Sequence, residues 1–138
     1  MQESLEIKDY VRRFYESMAS ADAASAIDTM VAHDESALMI GTDPNEWWRG
    51  YDTITRIWRE QLRATGGFKI TPGDLVAFAE GDFGWFADNA TWEVEGEQVP
   101  VRTTGVVRRE NGDWKLVQGH ASIGVANEET VGRELPTG

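Results

Sequence analysis

The chain has 138 residues, no Cys and a formal net charge of −11 at pH 7, which suits one domain with one core and excludes disulfides, thiolate metal sites and Cys nucleophiles. A pI near 4.5 argues against nucleic acid or an anionic membrane as partner, since both require a basic face. The lack of Cys is compatible with a reducing, cytoplasmic location.

The first ten residues (MQESLEIKDY) have no basic region followed by an apolar run, so they read as neither signal nor transit peptide. Ile7, Val11, Phe14 and Met18 fall on one stripe of a helix from about Ser4 to Ser20, flanked by Tyr10 and Tyr15. Asp22 is a suitable N-cap for a shorter second helix with Ala23, Ala26, Ile27, Met30 and Val31 inward. Residues 36–42 (SALMIGT) read as a short strand, and Asp43 to Glu46 break it. Trp47 and Trp48 then fall in an expected loop, where adjacent bulky aromatics cap an opening or dock on a neighbour. A third helix from Tyr51 or Asp52 turns Ile54, Ile57, Trp58 and Leu62 inward, carries Arg59 and Arg63 towards its C-terminus and stops at Gly66-Gly67.

From Phe68 to Ala126 three turn signals, Glu80-Gly81-Asp82, Glu95-Gly96-Glu97 and Asn111-Gly112, divide the chain into a four-strand antiparallel meander. Strands of about 12 residues exceed the usual five or six and curl rather than lie flat. The remaining segment, 127–138, is polar and aperiodic, giving a domain over 1–126 and a loose tail. The order of elements makes this an α+β fold.

Alternation places Phe83, Trp85, Ala87 and Asn89 on one face of their strand, and Phe86, Asp88, Ala90 and Trp92 on the other. Gly105, Gly119 and Ala121 share a face and would leave volume there, with Trp85 and Asn89 as wall residues. By the same parity His120 and Ser122 lie on the outer face unless a bulge shifts the register. His120 is then either a hydrogen-bonding residue at a subunit contact or a pocket acid or base. Arg102 offers a fork to an anionic ligand or an ion pair to Glu93 or Glu95. Tyr15 reaches the pocket mouth or packs on the helix flank; Trp47, Trp48 and Trp58 form a lid or pack in the core. His33 reads as a solvated helix end. His33 and His120 lack a third metal ligand, so no metal site is expected. Neither GxSxG, GxGxxG nor a P-loop occurs, and no cofactor is expected.

The strings GTDPNEWWRG and RRENGDW and the pair His120 and Ser122 resemble the SnoaL-like branch of the nuclear-transport-factor-2-like superfamily. The last two also resemble the association domain of calcium/calmodulin-dependent protein kinase II. The resemblance spans about residues 4–126. It implies a cystatin-like cone with N-terminal helices on the concave face of a curled, mostly antiparallel sheet, a pocket open at one end, and a homodimer formed through the outer sheet surface. Steroid isomerases of that superfamily use a first-helix Tyr and a first-strand Asp, and the matching positions here are Phe14 and Ile40. Neither transfers a proton, so that isomerase chemistry is not expected. The functional expectation is an aromatic-lined pocket for a hydrophobic or amphipathic small molecule. The alternatives are an isomerase, cyclase or hydratase using Tyr15 or His120, and an assembly module with a filled interior.

Overall fold

The computed structural model describes residues 1–138. Helix α1 (Leu5–Ser17) begins where the Ser4 side chain accepts from the Ile7 amide, and it buries Ile7, Tyr10, Val11, Phe14 and Tyr15. The second helical segment, Ala21–Thr29, is a 3₁₀ helix capped by Ser20 rather than Asp22. Three residues per turn align Ala24, Ile27 and Met30, all buried, and leave Ala26 exposed, so the inward face differs from the one a 3.6 period selects.

Strand β1 (Gln2–Glu3) precedes α1; β2 (Leu38–Ile40), β3 (Trp47–Arg49) and α2 (Tyr51–Thr65) follow the 3₁₀ segment. Trp47 and Trp48 therefore lie on a strand instead of a loop, with Met39 opposite Trp48 in an antiparallel pair. Helix α2 buries Ile54, Thr55, Trp58 and Leu62 and ends at Gly66 in the left-handed region. Its exit runs beside the end of α1, where the Phe68 amide donates to the Met18 carbonyl at 2.7 Å.

The long hairpins form as the turn residues dictate. Strands β5 (Val76–Glu80), β6 (Phe83–Val94), β7 (Glu97–Glu110) and β8 (Asp113–Ser122) pair in succession, and both Glu95-Gly96 and Asn111-Gly112 have positive φ at each residue. The first member of the meander is broken. Strand β4 (Lys69–Thr71) and β5 share one edge of β6, and Pro72 to Leu75 leave the sheet between them. Opposite that gap, side chains replace the missing ladder: the Gly73 amide donates to Asp88 at 2.9 Å and the Asp74 amide to Asn89 at 2.6 Å. Strand β2 adds in parallel beside β8, giving the order β1-β5-β6-β7-β8-β2-β3.

A bulge fixes which faces point inward. Val106 and Val107 are consecutive on β7 but oppose Gln118 and Leu116, so Val117 is the extra residue on β8. Trp114 and Leu116 are thereby buried on the same side as Gly119 and Ala121, whereas simple alternation separates the two pairs. The concave face packs on both helices around a 24-residue apolar cluster. Beyond the sheet, Asn127–Val131 forms a short helix, α3, with no buried residue, within a segment expected to be irregular. No helix is long and apolar enough to cross a membrane.

The junction after α2 distinguishes conformational from steric demands on adjacent glycines. Gly66 and Gly67 both have positive φ; a Cβ on Gly66 meets nothing within 4 Å, while one on Gly67 falls 2.3 Å from the Ala19 carbonyl oxygen. Gly66→Ala is expected to cost about 1–2 kcal/mol from backbone strain alone. Gly67→Ala should cost more, because the main chains of two helix ends must separate. Urea denaturation of the two variants measures this, and equal costs would show that the Ala19 contact relaxes freely.

Candidate functional site

Residues from α1, α2, β2, β4 and the concave faces of β6, β7 and β8 line a partly open cavity of about 40 Å³. The wall is mostly apolar, with Val11, Phe14, Met18, Trp58, Phe86 and Leu116 contributing. A larger hollow of about 340 Å³ adjoins it at the end of the cone, where the Gly41 to Glu46 turn and α2 form the rim. Met39, Trp58, Trp92 and Ala121 line both spaces and form the neck between them.

The inner space is smaller than the small residues of β7 and β8 suggest. A Cβ on Gly105 would lie 2.5 Å from the Phe86 ring, and one on Gly119 would lie 2.4 Å from the Met39 sulfur. The glycines accommodate these two side chains instead of leaving a void. Met is unbranched with three rotatable bonds, so the Met39 plug is the adaptable part of the wall.

Aromatic rings build the side nearest the helices. Phe14 and Trp58 meet edge-on with centroids 4.9 Å apart, Trp48 meets Trp58 edge-on at 6.2 Å, and Trp92 stacks on Phe68 at 5.8 Å. Edge-to-face and offset pairs of this kind exceed their area burial by about 0.5–1.5 kcal/mol each. They hold the neck in shape.

One polar group is set deep in this wall. The Tyr15 hydroxyl donates to Asp88 Oδ2 at 2.8 Å and lies 2.9 Å from Thr103 Oγ1. A phenol has one proton, so Thr103 is the donor in the second bond. Asp88 and Thr103 are directly opposed on β6 and β7, and the other Asp88 oxygen accepts from Gly73. Asp88 is only 5% exposed. Burial, and after it the Asp88 carboxylate, raises the Tyr15 phenol far above its ordinary value near 10, partly opposed by the Thr103 hydrogen bond. Burial raises Tyr10 likewise, and Tyr10 donates to the Met30 carbonyl at 2.7 Å.

The structure brings together Tyr15, Trp48, Trp58 and His120 among the residues singled out in the sequence, and disperses the others. Trp47 is 61% exposed on β3. Trp85 lies on the outer face, opposite Val106 and stacked on Phe78 at 5.2 Å, so it is no wall of the cavity. Asn89 is also outside, bound to Asp74. Arg102 is exposed on the same outer face with its guanidinium beside Gly124, and the ion pair to Glu93 or Glu95 is not formed. His120 pairs with Thr104 and Ile40, is exposed, and alternates with the buried Gly119 and Ala121, and it is among the residues that line the cavity. His33 is exposed and stacks on Tyr51 at 3.8 Å. No group of three or more His, Asp or Glu that could hold a metal ion is formed.

The SnoaL-like domain family matches residues 7–126. The chain belongs to the SnoaL-like domain family. An NTF2-like protein of unknown function from Pseudomonas putida superposes with a TM-score of 0.77 at 18% identity, over 96% of this chain and 92% of that one. A candidate dehydratase of the NTF2-like family from Streptomyces avermitilis gives 0.73 at 20% identity, covering 88% and 95%. A candidate calcium/calmodulin-dependent protein kinase type II association domain from Thiobacillus denitrificans gives 0.71 at 20% identity, covering 86% and 94%. No curated protein matches the sequence. The expected SnoaL-like, cystatin-like cone is thus the fold of the chain. Phe14 and Ile40, the positions matched to the steroid isomerases' Tyr and Asp, are apolar, and the buried polar groups of the concave face are Tyr15, Asp88 and Thr103.

Tyr15→Phe removes the donor to Asp88 and the acceptor for Thr103. At neutral pH it is expected to cost about 1–3 kcal/mol in urea denaturation. The same variant has an alkaline signature. With its folded pKa raised, Tyr15 stabilises the fold fully below the unfolded value near 10, and this is lost as pH rises above that value, because the unfolded chain then releases a proton that the folded chain keeps. Stability should fall by up to about 1.4 kcal/mol per pH unit for each such Tyr. Replacing Tyr15 by Phe should make that fall shallower above pH 10 and leave the profile unchanged near pH 8. An unchanged alkaline slope would mean that Tyr15 ionises in the folded protein.

Proposed function

We propose that the protein binds a hydrophobic or amphipathic small molecule in the apolar hollow at the open end of the cone, with part of the ligand displacing Met39 to reach the inner cavity. The observation that carries this reading is the neck, where an adaptable Met and two Trp rings line both the partly open cavity of about 40 Å³ and the adjoining hollow of about 340 Å³. Mostly apolar concavities with few polar groups are the usual form of small-molecule sites. An assembly module requires no such hollow.

A second reading, an isomerase, cyclase or hydratase, is favoured by the Tyr15 and Asp88 pair beside the cavity. Both partners are already engaged, and Asp88 stands behind Tyr15 and Thr103 rather than at the cavity surface. Proton transfer to a ligand therefore requires that this bond open. Binding is the reading that needs no such rearrangement.

The fluorescent probe N-phenyl-1-naphthylamine, neutral and apolar, tests the site. Its emission should rise on addition of protein. Ala121→Phe, which fills the neck, should weaken binding at least roughly tenfold, about 1.4 kcal/mol, while His33→Ala leaves it unchanged. Equal binding by the native protein and Ala121→Phe would place the probe elsewhere and remove the support for this site.

The reading includes a homodimer through the convex sheet face. Phe83, Trp85 and Val106 stand exposed there, an apolar grouping that suits a subunit contact. Val106→Glu should convert a dimer into a monomer in sedimentation equilibrium, and a native monomer would exclude this arrangement.

A further inference from the structure

The Glu46 carboxylate is fixed at the rim of the outer hollow by neutral groups alone. Its Oε1 accepts from the Asp43 amide at 2.9 Å, and its Oε2 accepts from Gln61 Nε2 of α2 at 2.5 Å. Gly41 gives the side chain its place, because a Cβ there would lie 2.7 Å from Glu46 Oε1. No cation balances the charge: Glu46 takes part in none of the ion pairs of the protein. A carboxylate offers about four lone-pair sites, so two bonds leave it able to accept more. It is half-buried, it is the one carboxylate lining the outer hollow, and no Lys or Arg lines that space or the inner cavity.

We infer that Glu46 is the specificity-determining group of the outer hollow and that it selects an amphipathic molecule with a cationic head, an ammonium group on an apolar body. The inference rests on the binding role proposed above and adds the charge of the ligand. An ammonium held at the rim leaves the apolar body to Trp48, Trp58, Phe68 and Trp92, which line the hollow. The charged head then stays at the wet edge, where it keeps part of its hydration. An anionic head at the same place meets a fixed like charge with no cation to offset it, and the net charge of −11 opposes its approach. If Glu46 served only to close the Gly41 to Glu46 turn onto α2, its charge would be dispensable.

Three ligands with the same eight-carbon tail separate the possibilities: octylammonium, a cation at pH 7; 1-octanol, which is neutral; and octanoate, an anion. Isothermal titration of the native protein at low ionic strength should show octylammonium bound roughly tenfold more tightly than 1-octanol, a difference of about 1.4 kcal/mol, with octanoate weakest. Glu46→Gln keeps the size of the side chain and an acceptor oxygen but removes the charge. It should bring the ammonium-to-alcohol ratio near one while 1-octanol affinity is retained. Asp113→Asn removes one charge at the exposed start of β8, outside both spaces, and should leave the ratio unchanged. Equal affinities in the native protein, a preference that survives Glu46→Gln, or the same loss in both variants would overturn the inference and leave the apolar site standing. Tightest binding by octanoate would overturn it as well. Binding of none of the three would remove the site itself and the inference with it.

Should Glu46→Gln fail to fold, nuclear Overhauser contacts in the native protein give an independent result. The N-methyl protons of octyltrimethylammonium should contact the side chains of Glu46 and Gln61, and the terminal methyl of its chain should contact Met39 or Ala121. A chain end at Ala121 with N-methyl protons that touch neither Glu46 nor Gln61 counts against the role of Glu46. Contacts at neither end count against the site.

Discussion

The polar attachment of Asp88 is the constraint on which the rest of the interior depends. A carboxylate on the concave, apolar face of a sheet is costly unless each oxygen has a donor. Here one oxygen accepts from Tyr15 on α1, the other from the Gly73 amide in the break between β4 and β5. One side chain thus ties the first helix to the sheet and fills the ladder position that the broken strand leaves open. The break is in turn what gives Asp88 a free amide to accept from, since a continuous strand would have spent that amide on the β6 main chain. Gly73 suits this position, because a Cβ there would lie 2.3 Å from the Asn89 carbonyl oxygen.

With α1 held at that point, the apolar part of the interior follows. The stripe Val11, Phe14 and Met18 lines the cavity together with β8 residues 116 and 119–121 and with Trp58 from α2. The Val117 bulge is equally necessary. It lets β8 bury Trp114 and Leu116 at one end and Gly119 and Ala121 at the other, so a single strand supplies bulk where the cone is filled and thinness where it opens. Gly119 then admits the Met39 sulfur, and β2 can run parallel to β8 with Met39 directly opposite Gly119. The neck results from a register shift together with a glycine.

Much of the fold was legible because the signals were local. The turns at Glu95-Gly96 and Asn111-Gly112 needed only two residues of positive φ, and the stripe of α1 needed only a helical period. The bulge was illegible for the opposite reason: no residue type marks Val117, and one unpaired residue reverses the facing of everything beyond it. Trp85 was placed on the wrong face by joining its parity to that of Gly105; the actual pairing sets Phe86 against Gly105 and Trp85 against Val106. The 3₁₀ segment was missed because apolar residues three and four apart occur together at Ala23, Ala24, Ala26 and Ile27, so period alone does not choose between helix types. Asp88 had a signal that went unused. It alternates with Phe86, Ala90 and Trp92, and an acidic residue within such an apolar set must either find buried donors or face water.

The contrast between Tyr15 and Trp92 bears on what the interior can do. The Tyr15 donor is used by Asp88 and its hydroxyl oxygen accepts from Thr103, while the Trp92 indole N–H is buried without a protein acceptor. An indole N–H does not exchange its proton in acid or base catalysis at ordinary pH; it orients. A phenol whose ionisation is suppressed by burial, and which is hydrogen-bonded on both sides, stiffens the wall in the same way that a satisfied core network does. Asp88 is reached from the cavity only past Tyr15 and Thr103, and His120 alternates with the buried Gly119 and Ala121.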